Sequence, residues 1–305
     1  MVLFWNMNQN YLEIIPGELK TADLHGFLLG AVSPRPIAFA STIDSMGRKN
    51  LAPFSFFNVF SANPPVMIFS PARRVRDNST KDTLQNVLEV PEVCIHVVSR
   101  DLLMQMNLAS NEFPSDVDEF VKAGLTPIPS DLIRPYRIAE SMVQMECEVF
   151  EIKPLSPNAG AGNLIFCRLL KMHVHKSVLD ANGKISPALL NPVARLGGDW
   201  YCEVNAGNLF EVEKPSRIPG IGIDALPASI RNSRILTGND LGQLGNTEKL
   251  PDANEIREIL NANPQWKGKH DEDTFHRLIA LQLASGKKQE ALALVALGTP
   301  EALNS

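Results

Sequence analysis

The chain has 305 residues, is 44% hydrophobic and 21% charged, and carries a net charge of −5, which argues against nucleic acid or an anionic membrane as a partner and for an ordinary packed core. No run approaches the roughly 20 apolar residues needed to span a bilayer. The four cysteines, Cys94, Cys147, Cys167 and Cys202, are scattered; three lie in apolar runs, as small buried hydrophobes of a reducing cytoplasm do, so neither a disulfide nor a metal set is expected.

The first nine residues hold an apolar Val2-Leu3-Phe4-Trp5 patch without a basic leader or a small-residue cleavage site, and no export is expected. Between residues 37 and 170 the dominant pattern is short strands: 37–40, 55–60, 66–69, 93–98, 142–149 and 164–174. The clearest alternates Val143, Met145, Cys147 and Val149 with Gln144, Glu146 and Glu148, which predicts one buried and one polar face. Turn-forming stretches such as Asp44-Ser45-Met46-Gly47 and Ala62-Asn63-Pro64-Pro65 separate them. So many short strands point to a closed or partly closed β-barrel. Short helices are expected at 80–90, 102–108 and 116–123, the last capped by Gly124. After residue 215 the pattern turns to loops and then to helices at 252–261, 271–284 and 287–297. The domains are therefore taken as 1–223 and a linker with a helical C-terminal extension at 224–305.

Three segments carry chemistry. Asn78-Ser79-Thr80-Lys81-Asp82-Thr83 leads into a helix for which Ser79 or Thr80 is a natural N-cap. Amide N–H groups at that helix start, the hydroxyls of Thr80 and Thr83, the Lys81 ammonium and the nearby Arg73, Arg74 and Arg76 suit a phosphate; a plain capped helix is the alternative. In Asn50-Leu51-Ala52-Pro53-Phe54-Ser55 the proline loosens the ladder, so that neighbouring amides are free to meet the edge of a planar heterocycle; an edge strand with a bulge explains the segment equally. In Arg195-Leu196-Gly197-Gly198-Asp199-Trp200-Tyr201 the glycines permit close backbone approach, or simply a turn. His173 and His175 share one face of a strand and are taken as structural, with no metal site expected. No P-loop, Gly-x-Ser-x-Gly elbow or Gly-x-Gly-x-x-Gly βαβ motif is present.

In order, Ser33-Pro34-Arg35-Pro36-Ile37-Ala38, Ser41-Thr42, Gly47, Asn50, Ala52-Pro53-Phe54-Ser55, Ser61, Pro64-Pro65, Lys81-Asp82-Thr83, Asn86, Arg195-Leu196-Gly197-Gly198 and Tyr201 resemble the flavin reductase-like, FMN-binding split-barrel family over residues 10 to 215. The resemblance implies a mainly β fold, an FMN-binding split β-barrel with a few peripheral helices, forming a homodimer with FMN near the interface. It implies flavin contacts at Thr42, Asn50, Ala52, Pro53, Phe54, Ser55, Ser70, Lys81, Asp82, Thr83 and Asn86, with Arg195 and Tyr201 near the flavin ring or substrate. The implied activity is hydride transfer from NADH or NADPH to a flavin and on to a second acceptor, a partner monooxygenase among the candidates. Because the cofactor carries that chemistry, no catalytic side chain is assigned. The alternatives are an electron-transfer flavoprotein reduced by a protein partner, a non-catalytic FMN-binding module, and an activity like that of pyridoxamine phosphate oxidase.

Overall fold

The computed structural model describes residues 10–214, 217–266 and 271–297; the Val2 to Trp5 patch lies outside them. Contacts within the chain form two compact units that divide between Phe210 and Glu211.

The first unit is organised by a seven-stranded sheet. In chain order its strands are β1 (Ala38–Ile43), β2 (Lys49–Phe54), β3 (Phe57–Ala62), β4 (Pro65–Phe69), β5 (Glu92–Val97), β8 (Val143–Pro154) and β9 (Asn163–Val174), with two-residue strands β6 (Pro127–Ile128) and β7 (Arg137–Ile138) between β5 and β8. The spatial order is β2-β1-β5-β8-β9-β4-β3, all pairs antiparallel. With a neighbour on either side, β1 is buried at all six positions, from Ala38 to Ile43. β2 is one edge of the sheet, and that is why Pro53 fits: its register with β1 runs unbroken from Ala38↔Phe54 to Ile43↔Lys49, Pro53 facing Phe39.

In β8 the predicted apolar face is buried, Val143, Met145, Cys147 and Val149 packing in the main core. The polar face differs from expectation, because Gln144 and Glu146 are buried as well. The segment that includes β6 and β7 folds over them: Gln144 Nε2 donates to the Ile138 and Ser141 carbonyls, and the N–H groups of Asp131 and Leu132 donate to the Glu146 carboxylate. That cover comes from residues outside the strand, so alternation alone does not disclose it.

Around the sheet lie α1 (Thr21–Ala31), α2 (Asp82–Glu89), α3 (Leu103–Ala109), α4 (Glu119–Ala123) and α5 (Pro187–Leu190), followed by the ribbon β10 (Val193–Arg195) and β11 (Tyr201–Glu203). α4 ends as expected on Gly124 in the left-handed region, φ 62°. α1 was not expected, since its sequence has no amphipathic stripe, and no residue of it is buried. His25 meets Phe56 edge-on with ring centroids 6.1 Å apart, placing α1 beside the start of β3.

The second unit contains α6 (Ala228–Arg231), α7 (Gly238–Gly245), α8 (Ala253–Ala262), α9 (Glu272–Ala284) and α10 (Lys288–Leu297). Leu226, Ile230, Leu244, Phe275, Ile279 and Leu292 lie in its own core. α7 forms despite three glycines because Thr237 and Asp240 close a reciprocal capping box at its start. Among the described residues no helix is long and apolar enough to cross a membrane.

Candidate functional site

α2 begins at Asp82, with Lys81 in the cap position and no side-chain cap. The hydroxyls expected to cap it are spent elsewhere: Ser79 Oγ donates to Asp77 and accepts from Arg74, and Thr80 Oγ1 accepts from Gln85 Nε2 at 2.8 Å. As a result, the N–H groups of Asp82 and Thr83 have no partner among the described residues. They follow directly on Lys81, whose ammonium pKa is lowered by burial and by the Arg74 charge.

Behind the helix start, Thr42, Asn50, Thr83 and Asn86 form one buried network. Asn50 Nδ2 donates to Thr42 Oγ1 and Thr83 Oγ1, both at 3.0 Å, and Asn86 Nδ2 donates to Thr42 Oγ1 at 3.1 Å. Strand pairing makes this possible by setting Thr42 directly opposite Asn50. Both amide nitrogens are committed to the network, while both Oδ1 atoms lack partners among the described residues. Asn50 and Asn86 line a cavity of about 370 Å³ with Asp82, Arg48, Glu89 and Glu119. Its cations are already engaged, Arg48 with Asp44 at 2.6 Å and Lys49 with Asp118 at 3.0 Å. The wall is thus rich in acceptors and suits hydroxyl donors, whereas an anion is better met by Lys81 and the free amides.

A second group converges on Lys81. Its Nζ lies 5.3 Å from the centre of the Phe54 ring, which packs on Phe69 at 5.2 Å between centroids. Ser70 follows Phe69, is buried, and donates its N–H to the Phe56 carbonyl at 2.9 Å, bringing it to the same end of the β3–β4 hairpin as Ser55. A side chain at Gly162 would meet Ser70 Oγ at 2.6 Å, so glycine keeps this hydroxyl's place. Ala52 and Pro53 are half-buried on β2, next to Phe54 in the chain.

Arg195 and Tyr201 stand apart from the network, paired across β10 and β11 with the guanidinium 4.5 Å from the ring centre. The close backbone approach expected of the glycine pair is made within the chain, since a Cβ at Gly197 would lie 3.0 Å from Gly30 Cα in α1. Arg35 fixes that contact: Nη1 donates to the Leu29 and Val32 carbonyls at 2.6 and 2.5 Å, and Nη2 to Leu196 at 2.9 Å.

Three carboxylates escape sequence inspection because distant segments bring them in. Glu119 is buried at the cavity wall and accepts the Leu51 N–H at 3.1 Å; burial pushes its carboxyl up to about 7, helped by the Asp82 and Asp118 charges. Glu112 pairs with Arg74 and Arg76. Glu146 accepts His173 Nε2 at 2.6 Å, and with Asp131 these groups offer ligand atoms within 4.8 Å of one another. Lys171 and Arg137 are bonded into the same cluster, and Glu146 already accepts from Asp131 and Leu132, so it is an ion-pair network that ties β8 and β9 to the 127–138 segment. Burial alone would raise the Glu146 carboxyl, but the Asp131 N–H, His173 and the Leu132 N–H outweigh it and hold it below its ordinary value.

Comparison with known proteins agrees with this architecture. A protein of Aquifex aeolicus without a described function is 38% identical over 190 residues, 62% of this chain and 94% of that one. Component B of nitrilotriacetate monooxygenase from Bacillus cereus superposes with a TM-score of 0.62 at 31% identity, covering 67% of this chain and all (100%) of that one. A Shewanella frigidimarina protein described as a flavin reductase with a split barrel domain gives a TM-score of 0.55 at 21% identity over 65% of this chain and 95% of its own, which speaks for the fold alone. The model of the flavin reductase like domain matches residues 30–191, more than half of the sequence, and the chain belongs to the flavin reductase-like family of split-barrel proteins.

Proposed function

We propose that this chain is an FMN-dependent oxidoreductase that takes hydride from NADH or NADPH and passes it to a flavin and then to a second acceptor. The observation that carries the reading is the start of α2, where the free N–H groups of Asp82 and Thr83 adjoin Lys81 and rest on the Thr42–Asn50–Thr83–Asn86 network. Lys81 and Thr83 would hold the phosphate. The Oδ1 atoms of Asn50 and Asn86, with Asp82, would accept from the ribityl hydroxyls. Ala52, Pro53, Phe54, Ser55 and Ser70 would flank the ring, with Arg195 and Tyr201 toward the ring or the substrate. Bound FMN supplies the hydride and electron transfer. The residues named here would bind and orient it, with the Lys81 ammonium held over the Phe54 ring that packs on Phe69.

The flavin-binding domain is assigned to residues 1–223, with 224–305 as a helical extension. Homodimerisation is supported by β3, a sheet edge on which Val59 and Phe60 are exposed, and by exposed Phe27 and Leu28 on α1. A monooxygenase partner is supported by the likeness to a monooxygenase component B. Free Cys94, Cys147, Cys167 and Cys202 support a place in the cytoplasm.

The test is an absorbance spectrum with added FMN, followed by anaerobic NADH and then NADPH while the oxidised-flavin band near ~450 nm is watched. Bleaching supports the reductase. Bound flavin that stays oxidised with both donors removes the nicotinamide step, and absence of flavin binding removes the whole reading.

A further inference from the structure

Glu112 lies in the segment between α3 and α4, far in sequence from the loop that precedes α2, yet its carboxylate is held by two arginines of that loop. Oε1 accepts from Arg74 Nε at 2.9 Å and Oε2 accepts from Arg76 Nη2. One oxyanion between two guanidinium groups is the arrangement by which arginines take a phosphate monoester. Arg74 is aimed at the helix start by its own bonds, with Nη1 donating to Ser79 Oγ at 2.9 Å and to the Thr80 carbonyl at 2.8 Å. Lys81 feels both partners, its pKa being lowered by burial and by Arg74 and raised by Glu112. Arg74 and Lys81 thus stand at the helix start that carries the two free amides, Arg76 joins them through the shared Glu112 while its Nε donates to Asp77 at 3.1 Å, and Glu112 occupies part of this cationic group.

The manner of occupation matters. Glu146, buried and fixed by several hydrogen bonds, is not free to leave its place. The Glu112 side chain is 43% exposed and its pairs are surface ion pairs, which contribute little and exchange readily. Its displacement by an incoming dianion is therefore cheap without being free.

We propose that Glu112 competes with the flavin's phosphate for Arg74 and Arg76, and so determines how weakly FMN is held and how easily it exchanges; the proposal rests on the FMN reading above. Riboflavin has no phosphate, leaves Glu112 in place and does not sense it. Glu112 is an affinity-determining residue that favours a flavin released between turnovers over one retained as a prosthetic group.

The experiment titrates FMN and riboflavin, by flavin fluorescence, into the full-length chain and its Glu112→Gln and Glu112→Asp variants, with thermal unfolding of each to confirm the fold. Glu112→Gln is expected to tighten FMN by about tenfold and to leave riboflavin within about twofold, while Glu112→Asp stays near the parent. An FMN affinity that is unchanged or weaker in Glu112→Gln, or an equal gain for riboflavin, overturns the proposal while leaving the FMN reading intact. Failure of the parent chain and both variants to bind FMN overturns both.

Discussion

Asn50 Nδ2 donates to Thr83 Oγ1 across 3.0 Å, joining the edge strand β2 to the first turn of α2 inside a buried network. Replacing Asn50 by Ala removes the donor to the buried Thr83 hydroxyl and leaves Thr42 with only its bond from Asn86. A loss of about 1–3 kcal/mol in unfolding free energy is expected, read from urea denaturation, together with weaker FMN binding. An unchanged denaturation midpoint would show that the network does not stabilise the fold.

Lys81→Ala should weaken FMN binding at least tenfold while leaving turnover of fully loaded enzyme nearly unchanged, since the ammonium is assigned to the phosphate and not to the reacting ring. Lys81→Arg should recover much of the affinity. The lowered pKa of Lys81 adds a pH test, in which affinity falls on the alkaline side sooner than an ordinary lysine at 10.5 would allow. Equal losses in flavin content and in turnover at saturating FMN would contradict the assignment.

Glu119 gives a stability signature of definite sign. Its carboxyl is raised from 4.5 to about 7 by burial in the folded chain, so below pH 4.5 it is protonated in both states and contributes no penalty. Between pH 4.5 and 7 the unfolded chain loses the proton first, and the folded state becomes progressively less favoured. Glu119→Gln should therefore melt like the parent near pH 4 and above it at pH 8, measured by thermal denaturation across that range. A difference that is larger at pH 4 than at pH 8 would reverse the sign and refute the cause.

Two glycine substitutions separate space from propensity. Gly197→Ala puts a Cβ 3.0 Å from Gly30 Cα and is expected to cost about 1–3 kcal/mol. Gly26→Ala, with nothing within 4 Å of its Cβ on an exposed helix, should be neutral or stabilising by up to about 1 kcal/mol. Chemical denaturation of the pair checks the ranking.

Phe60→Asp places a charge on the open edge at β3 and should shift the chain toward monomer in sedimentation or size-exclusion experiments, without lowering its melting temperature as a monomer. A parent chain that is already monomeric would remove the dimer from the proposed function.

The strand-rich region was legible because short β-branched and aromatic runs between turn signals reflect local pairing preferences. β8 shows this best, its apolar alternation matching the buried face at Val143, Met145, Cys147 and Val149. The burial of Gln144 and Glu146 was not legible, because it depends on residues 127–138 folding back over them. The start of α2 moved from Ser79 or Thr80 to Lys81 for a similar reason: Arg74, Asp77 and Gln85 compete for the capping hydroxyls. Asn50, Thr42, Thr83 and Asn86 carry a motif that sequence order reveals. Glu112 and Glu119 carry none, and only the packing of 110–119 against the arginine loop and β2 brings them to the site.

Arg35 grips three carbonyls, two at the end of α1 and one at Leu196 in the turn after β10. A guanidinium is planar and stiff, and these bonds fix its orientation, so it acts as a rivet through two pieces of chain more than 160 positions apart in sequence. Neither piece is free to swing alone. Any excursion that carries Arg195 and Tyr201 must drag the end of α1 with it, or break the Arg35–Leu196 bond together with the two backbone bonds that pair Arg35 with Arg195.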